Sequence, residues 1–208
     1  MQSVSFCFSK VKKDCLKFIK SQETKADKFK NKERMIKAFL IPICFWISKK
    51  ADKKKPYFVG LAGGQGTGKT TISSLIKIIL IKYFKLKVFR ISIDDFYKTR
   101  KERISLSKRV HPMLLIRGVP GTHDINMMLN FFKQAKSRKF KRLRLPTFNK
   151  AIDDRFSKKH WYDLKIKPDI IIFEGWCVGA KFEKNNTLKK TINSMERAKD
   201  HKQIWRKY

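Results

Sequence analysis

Tyr57-Phe-Val-Gly-Leu-Ala-Gly-Gly-Gln-Gly-Thr-Gly-Lys-Thr-Thr71 decides the fold of this chain. Tyr57 to Ala62 is a short apolar run of the kind that forms a buried strand. Gly63 to Thr70 then fits G-x-x-x-x-G-K-[ST], and the apolar-rich stretch Ile72 to Phe84 reads as a helix. Strand, glycine loop and helix in that order specify a phosphate site, where a bare string match would not. The glycines at Gly63, Gly64, Gly66 and Gly68 let the main chain approach a polyphosphate closely. Successive N–H groups then form an anion nest, and the partial positive charge of the helix start faces the same way. In such a loop Lys69 contacts the β- and γ-phosphates and the Thr70 hydroxyl ligates Mg²⁺. Gln65, Thr67 and Thr71 complete the nucleotide-binding stretch.

Two further strands end in acids. Leu86 to Ile93 is rich in β-formers and runs into Asp94-Asp-Phe-Tyr97, and Asp169-Ile-Ile-Ile-Phe-Glu174 is a third apolar strand. Ligands of open α/β sheets bind beyond the carboxyl ends of the strands. Lys69 with Thr70, Asp94 and Glu174 therefore form one candidate constellation. Phosphoryl transfer to an alcohol needs a phosphate cradle, Mg²⁺ and a carboxylate that positions or deprotonates the hydroxyl. Asp94 suits the carboxylate role, and Glu174 an outer Mg²⁺ or acceptor contact, so Thr70, Asp94 and Glu174 are the candidate metal set. Asp is also common in turns after strands, and that plainer reading stands beside the functional one.

Further along, Ser92-Ile-Asp-Asp-Phe-Tyr97 is followed by Thr99-Arg-Lys-Glu-Arg103, His111-Pro112 and Arg117-Gly-Val-Pro-Gly-Thr-His-Asp124. Leu145-Pro-Thr-Phe-Asn-Lys-Ala-Ile-Asp-Asp-Arg155 and Phe173-Glu-Gly-Trp-Cys-Val-Gly179 come after them. In this order and spacing the motifs resemble the D-glycerate 3-kinase-like P-loop kinases, relatives of pantothenate kinase, uridine kinase and phosphoribulokinase. The resemblance runs from about Phe39 to the chain end. It implies an α/β, three-layer P-loop nucleoside triphosphate hydrolase fold with a parallel sheet, ATP·Mg²⁺ as cofactor and a small hydroxylated acceptor. It also implies Asp94 as catalytic carboxylate and Glu174 as the strand-end glutamate of the kinase relatives. A glycerate carboxylate suits a fork of Arg117 and Arg155. His123, Lys150 and Asp154 suit contacts to hydroxyls or carboxylate, and Asp95 and Tyr97 join this acceptor-side set. Ion pairing of Arg117 and Arg155 with neighbouring aspartates is the alternative.

The chain of 208 residues carries 51 Lys+Arg against 17 Asp+Glu, a net charge of +34. Such a field attracts polyanions without choosing among them. The basic residues are scattered, and no basic–aromatic binding module stands out, which favours a compositional habit over a nucleic-acid partner. A nucleic-acid-associated ATPase and a non-catalytic nucleotide-binding remnant remain alternatives to a kinase. Cys7, Cys15, Cys44 and Cys177 form no C-x-x-C pair, so reduced thiols and a cytoplasmic location are the expectation. No apolar run reaches the ~18 residues of a spanning helix, and the N-terminus carries no secretory pattern.

Residues 1–56 read as an N-terminal helical segment and linker, and 57–208 as the kinase domain. Within the first segment, residues 1–35 show irregular periodicity, Lys25 to Lys37 reads as a solvent-facing helix, and Met35 to Ile47 as an apolar one beside the first strand. Ser48 to Pro56 is a charged connector. Residues 98–123 read as loop, and Ile125 to Lys136 as a helix that Asp124 caps, its face drawn by Ile125, Met128, Leu129 and Phe132. Residues 137–168 read as basic loops. Lys181 to Tyr208 reads as polar and helical. The resemblance implies about five parallel strands, and only three are visible here. The expectation is therefore a C-terminally truncated domain, lacking lid arginines and adenine-side contacts, with weak or no kinase activity. Tyr57 to Ala62 would then be an aggregation-prone edge. The alternative is a compact three-stranded variant with Met35 to Ile47 over that edge.

Overall fold

The computed structural model describes residues 3–52 and 54–208; Lys53, in the charged connector, and Met1 and Gln2 lie outside them. In chain order the helices and strands are α1 (Val4–Gln22), α2 (Lys32–Met35), a π-helical turn (Ile36–Leu40), α3 (Ile41–Lys50), β1 (Tyr57–Ala62), α4 (Lys69–Lys82), β2 (Val88–Ser92), α5 (Arg100–Arg109), α6 (Ile125–Lys136), β3 (Leu143–Leu145), β4 (Phe148–Asn149), β5 (Asp154–Arg155), β6 (Tyr162–Leu164), β7 (Ile170–Gly175), α7 (Ser194–Lys199) and α8 (Ile204–Lys207). They fall into two compact units. One comprises Met1–Ser92, Lys133–Leu143 and Leu164–Val178, the other Ile93–Phe132, Arg144–Asp163 and Gly179–Tyr208.

The first unit is built on a three-stranded parallel sheet in the order β1-β7-β2. Tyr57 pairs in register with Ile170 and Ala62 with Gly175, while Val88 also stands beside Ile170 and Ser92 beside Glu174. The central strand β7 is buried on both faces at Ile170, Ile171 and Ile172, as a parallel strand flanked on both sides must be. Side chains alternate along it, and Ile170 and Ile172 enter the same core as Leu75, Ile76, Ile79 and Leu80 of α4. That alternation puts Glu174 on the α4 side, two residues beyond Ile172. Among the described residues no strand pairs with the other side of β1, which is half-exposed.

Residues 4–22 supply the first helix of the N-terminal segment, although their periodicity reads as irregular. They form a 19-residue helix with Ser3 as its N-cap, whose hydroxyl accepts the Phe6 N–H at 3.1 Å. Its buried face is Cys7, Val11, Cys15 and Ile19, a spacing of four that lies on one side of a helix. Cysteine acts here as a small hydrophobe. Burial pushes the Cys7 thiol up to about 11 and the Cys15 thiol up to about 12, so both stay protonated core groups. Residues 25–31 are not helical, contrary to the helix expected from Lys25; helix begins only at Lys32. Ile36, Leu40, Ile41, Cys44 and Ile47 then join the α1 and α4 core, while Trp46 meets the Tyr57 ring edge-on at 6.2 Å.

The second unit corrects the expected loop over 98–123. Thr99 and Glu102 make a reciprocal capping box that starts α5, and a 3-10 turn at Pro112–Leu115 follows. Helix α6, whose residues from Lys133 onward belong to the first unit, spans the expected residues, with Asp124 accepting the Met127 N–H at 3.0 Å. Its buried positions are Met128, Phe131 and Ala135, whereas Ile125 and Leu129 are 52% and 61% exposed, so the apolar face is turned from the expected one. Residues 181–208 hold two short helices rather than one continuous run. Asp200, 1% exposed, fixes the second by accepting the Trp205 and Arg206 N–H groups at 3.0 and 3.1 Å. Tyr208 packs on Gly121, where any Cβ would meet the ring at 2.8 Å. Among the described residues no helix is long and apolar enough to cross a membrane.

Candidate functional site

The phosphate side lies wholly in the first unit. β1 ends at Ala62, the loop Gly63–Gly68 follows, and α4 begins at Lys69, three residues before the start expected from apolar periodicity. Periodicity sees only buried positions, and the first turn of α4 is exposed or half-buried. Gly68 at φ +80° lets the chain turn into the helix. At Gly63 a Cβ would come within 2.9 Å of the Thr67 hydroxyl, so the loop can close only without one. Thr67 donates to the Gly64 carbonyl at 2.8 Å, and the Lys69 ammonium donates to the same oxygen. Gly64, Gln65, Gly66 and Thr67 are exposed, and Thr71 stands on the first turn of α4. The 14-residue helix presents its N-terminal dipole to this loop.

Behind the loop the structure gathers Thr70 and Glu174 with two residues the sequence reading did not single out, Ser73 and Arg90. The Thr70 hydroxyl donates to Glu174 Oε1 at 3.1 Å and the Ser73 hydroxyl to Oε2 at 2.5 Å. Arg90, on β2, donates to Oε1 at 3.1 Å. The Glu174 side chain is 7% exposed, so its charge is met almost entirely by these three groups. Ser73 lies one helical turn after Thr70 and shares its face. Arg90 occupies a strand position whose register partner is Ile172, on the core side of the sheet. Lys77, one turn beyond Ser73, has its ammonium held below the usual lysine value by burial and by Arg90.

The candidate acceptor residues lie in the second unit. Asp94 and Asp95 sit in a 3-10 turn, Ile93–Phe96, directly after β2. Lys150 Nζ reaches Asp94 Oδ2 at 2.8 Å, and Asp95 accepts the Phe148 N–H at 3.4 Å. His123 stacks on Tyr97 with ring centroids 4.3 Å apart. Its burial pushes the imidazole down to about 4, with Asp94 opposing and Lys98 adding to the shift, so the ring is neutral at physiological pH. Arg117 pairs with Asp153, and Arg155 donates to the Tyr97 carbonyl at 3.2 and 2.7 Å and approaches Asp124 at 3.5 Å. Asp154 accepts the N–H groups of Arg100 at 2.9 Å and Arg155 at 2.7 Å. The two loops, 117–124 and 150–155, are thus tied together by Arg117–Asp153 and Arg155–Asp124. Both arginines are engaged with aspartates, the alternative read beside the carboxylate fork.

Arg103 and Asp153 were not among the candidate residues, yet they organise this region. Arg103, 1% exposed, donates to the carbonyls of Lys98, Leu115 and Asp153 at 3.3, 2.8 and 2.6 Å. Burial works to raise the Asp153 carboxyl, but the Arg117 and Arg103 guanidinium groups outweigh it and hold the group below its ordinary value. Among the described residues no three or more His, Cys, Asp and Glu side chains cluster as a metal site.

No family model matches the chain. An uncharacterised kinase of Schizosaccharomyces pombe is 31% identical over 132 residues, which cover 60% of this chain and 47% of that one. The chloroplastic D-glycerate 3-kinase of Arabidopsis thaliana is 30% identical over 162 residues, 69% of this chain and 35% of that protein. The chain thus spans less than half the length of these two relatives. The solved D-glycerate 3-kinase of Cryptococcus neoformans superposes with a TM-score of 0.58 at 29% identity, over 73% of this chain and 55% of that one. With the parallel sheet and the loop at the head of α4, these likenesses place the chain in the P-loop NTPase fold, as a homologue of the D-glycerate 3-kinase-like P-loop kinases.

Proposed function

We propose that this chain carries the phosphate-binding and acceptor-binding elements of a kinase that transfers the γ-phosphoryl group of ATP to a hydroxyl of a small hydroxy acid, D-glycerate foremost. The observation that carries this reading is the loop Gly63–Gly68 at the head of α4, with the Thr70 hydroxyl hydrogen-bonded to the strand-end Glu174. Support for the acceptor comes from the names of the D-glycerate 3-kinases among the relatives.

In this proposal the loop N–H groups and the start of α4 hold the polyphosphate, and Lys69 follows the β- and γ-phosphate charge. The hard hydroxyl oxygen of Thr70 fits Mg²⁺, which needs one or two protein oxygens and takes the rest from phosphate and water. Because Thr70 donates its proton to Glu174, its lone pairs stay available to a cation. Held there by Thr70, Mg²⁺ would supply neutralisation of the phosphate charge. Asp94 accepts the proton of the acceptor hydroxyl as that oxygen bonds to Pγ; the bond from Pγ to the bridging oxygen breaks, and ADP leaves with the electron pair. Lys150 beside Asp94, Arg117, His123, Tyr97, Asp95 and Asp154 form the acceptor side. Arg155 supports the Tyr97 carbonyl and so shapes that side.

The test is an acceptor screen with ATP and Mg²⁺, reading ADP with glycerate, pantothenate or uridine. Glycerate-dependent ADP above the ATP-only background, however slow, is the expected result. ADP formed only with another acceptor reassigns the substrate, and nucleotide binding without ADP from any acceptor favours the non-catalytic remnant.

A further inference from the structure

We infer that Arg90 is a built-in cation that shares the Glu174 carboxylate with the divalent ion of the phosphate site and so sets how strongly nucleotide binding depends on Mg²⁺. This rests on the nucleotide reading above and adds a residue and a direction to it. Arg90 stands in β2 at a position whose neighbour across the sheet, Ile172, is buried core. An apolar side chain would suit that face, and the position instead sends a guanidinium to Glu174 Oε1 at 3.1 Å.

The same oxygen accepts the Thr70 hydroxyl at 3.1 Å. A cation ligated by the Thr70 oxygen therefore lies one hydrogen bond from the carboxylate oxygen that Arg90 already neutralises. Two cations attracted to one carboxylate also repel each other, and the interaction is strong because Glu174 is 7% exposed and poorly screened by salt. Ser73 holds the other oxygen, Oε2, at 2.5 Å, so three donors already share the carboxylate charge on which the second cation draws. Lys77 adds further positive charge close to Arg90. Arg90 is thus a positioning residue: it fixes Glu174 behind Thr70, and it weakens the pull of the site on a divalent ion.

The readout is the ratio of ADP affinity with Mg²⁺ to ADP affinity in EDTA, from equilibrium binding to the full chain. In Arg90→Gln that ratio should rise roughly tenfold over wild type, because the competing charge is gone. Arg90→Lys, which keeps the charge, should stay near the wild-type ratio. Arg90→Met, which fills the stem's volume, gives the same measurement if Arg90→Gln does not fold. A ratio in the neutral variants equal to or below wild type overturns the inference and leaves nucleotide binding standing. A wild-type chain that binds ADP in neither condition overturns both.

Discussion

Arg103 donates to the main-chain carbonyl of Asp153 at 2.6 Å and pairs with its carboxylate at 2.9 Å, while itself 1% exposed. One buried guanidinium thus contacts Asp153 at φ +53°, in the left-handed region that Asp enters more readily than most non-glycine residues. Arg117 pairs with the other carboxylate oxygen, and so the 117–124 loop is anchored on the 150–155 loop.

Replacing Arg103 by Leu should cost about 1–3 kcal/mol, since three main-chain carbonyls lose their donor while Asp153, 37% exposed, keeps Arg117 as a partner. Urea unfolding checks the figure. Arg103→Lys should recover only part of it, because an ammonium cannot serve all of these acceptors in the geometry of the fork. A loss below 1 kcal/mol in the Leu variant would show that the loops are held by other contacts.

Acid should weaken the second unit through His123. A histidine whose folded value is lowered binds fewer protons folded than unfolded, so stability falls as pH drops from the usual 6.5 towards about 4 and is fully lost below that. Between pH 7 and 4.5 the contribution is about 2 kcal/mol. Asp153 acts in the same direction at lower pH, because its carboxyl is held below its ordinary value. His123→Gln should show a shallower loss than wild type over that window in pH-dependent unfolding. Equal slopes in the two proteins would mean that the imidazole is not buried neutral.

The local signals were legible wherever chemistry and periodicity act over short distances. Strand β1 and helix α6 fall on the expected residues, and β2 and β7 lie within one or two of them, since apolar runs and the Asp124 cap are local features. The bounds of α1 had no clear local signal, because its buried stripe alternates Cys with Val and Ile while the bulkier Phe6 is 52% exposed. The capping box Thr99–Glu102 was visible in the sequence and marks α5, although the surrounding residues read as loop. Arg90 and Ser73 had no local signal. Their shared partner Glu174 lies 84 and 101 residues away, and only the sheet order β1-β7-β2 brings them to it. The exposed Ile125 and Leu129 show the limit of periodicity, which locates an apolar face without telling which part of it the fold covers.

Nucleotide should stabilise the chain through the loop Gly63–Gly68. At one hundred times its Kd, ATP·Mg²⁺ that binds only the folded state adds ~2.7 kcal/mol. Lys69→Ala should lose most of that gain, because the variant keeps the main-chain nest and loses the ammonium. Thermal melting with and without nucleotide measures both. An unchanged melting temperature for wild type at saturating ATP would remove the phosphate reading of the loop.

Under the proposed function, Asp94 and Lys150 should separate catalysis from binding. Asp94 follows β2 in a 3-10 turn, and its Oδ2 receives the Lys150 ammonium at 2.8 Å. The Lys150 side chain is 64% exposed, so the pair adds little to stability. Asp94→Asn keeps the shape and removes the base; turnover should fall by roughly 10²–10⁴ with nucleotide affinity nearly unchanged. Lys150→Ala should instead raise KM for a carboxylate acceptor more than it lowers kcat, if the ammonium contacts that carboxylate in ground state and transition state alike. Steady-state kinetics with the acceptor found by the screen tests the two together. Near-normal turnover in Asp94→Asn would move the base to Asp95, and a change in KM for ATP alone in Lys150→Ala would move Lys150 to the phosphates.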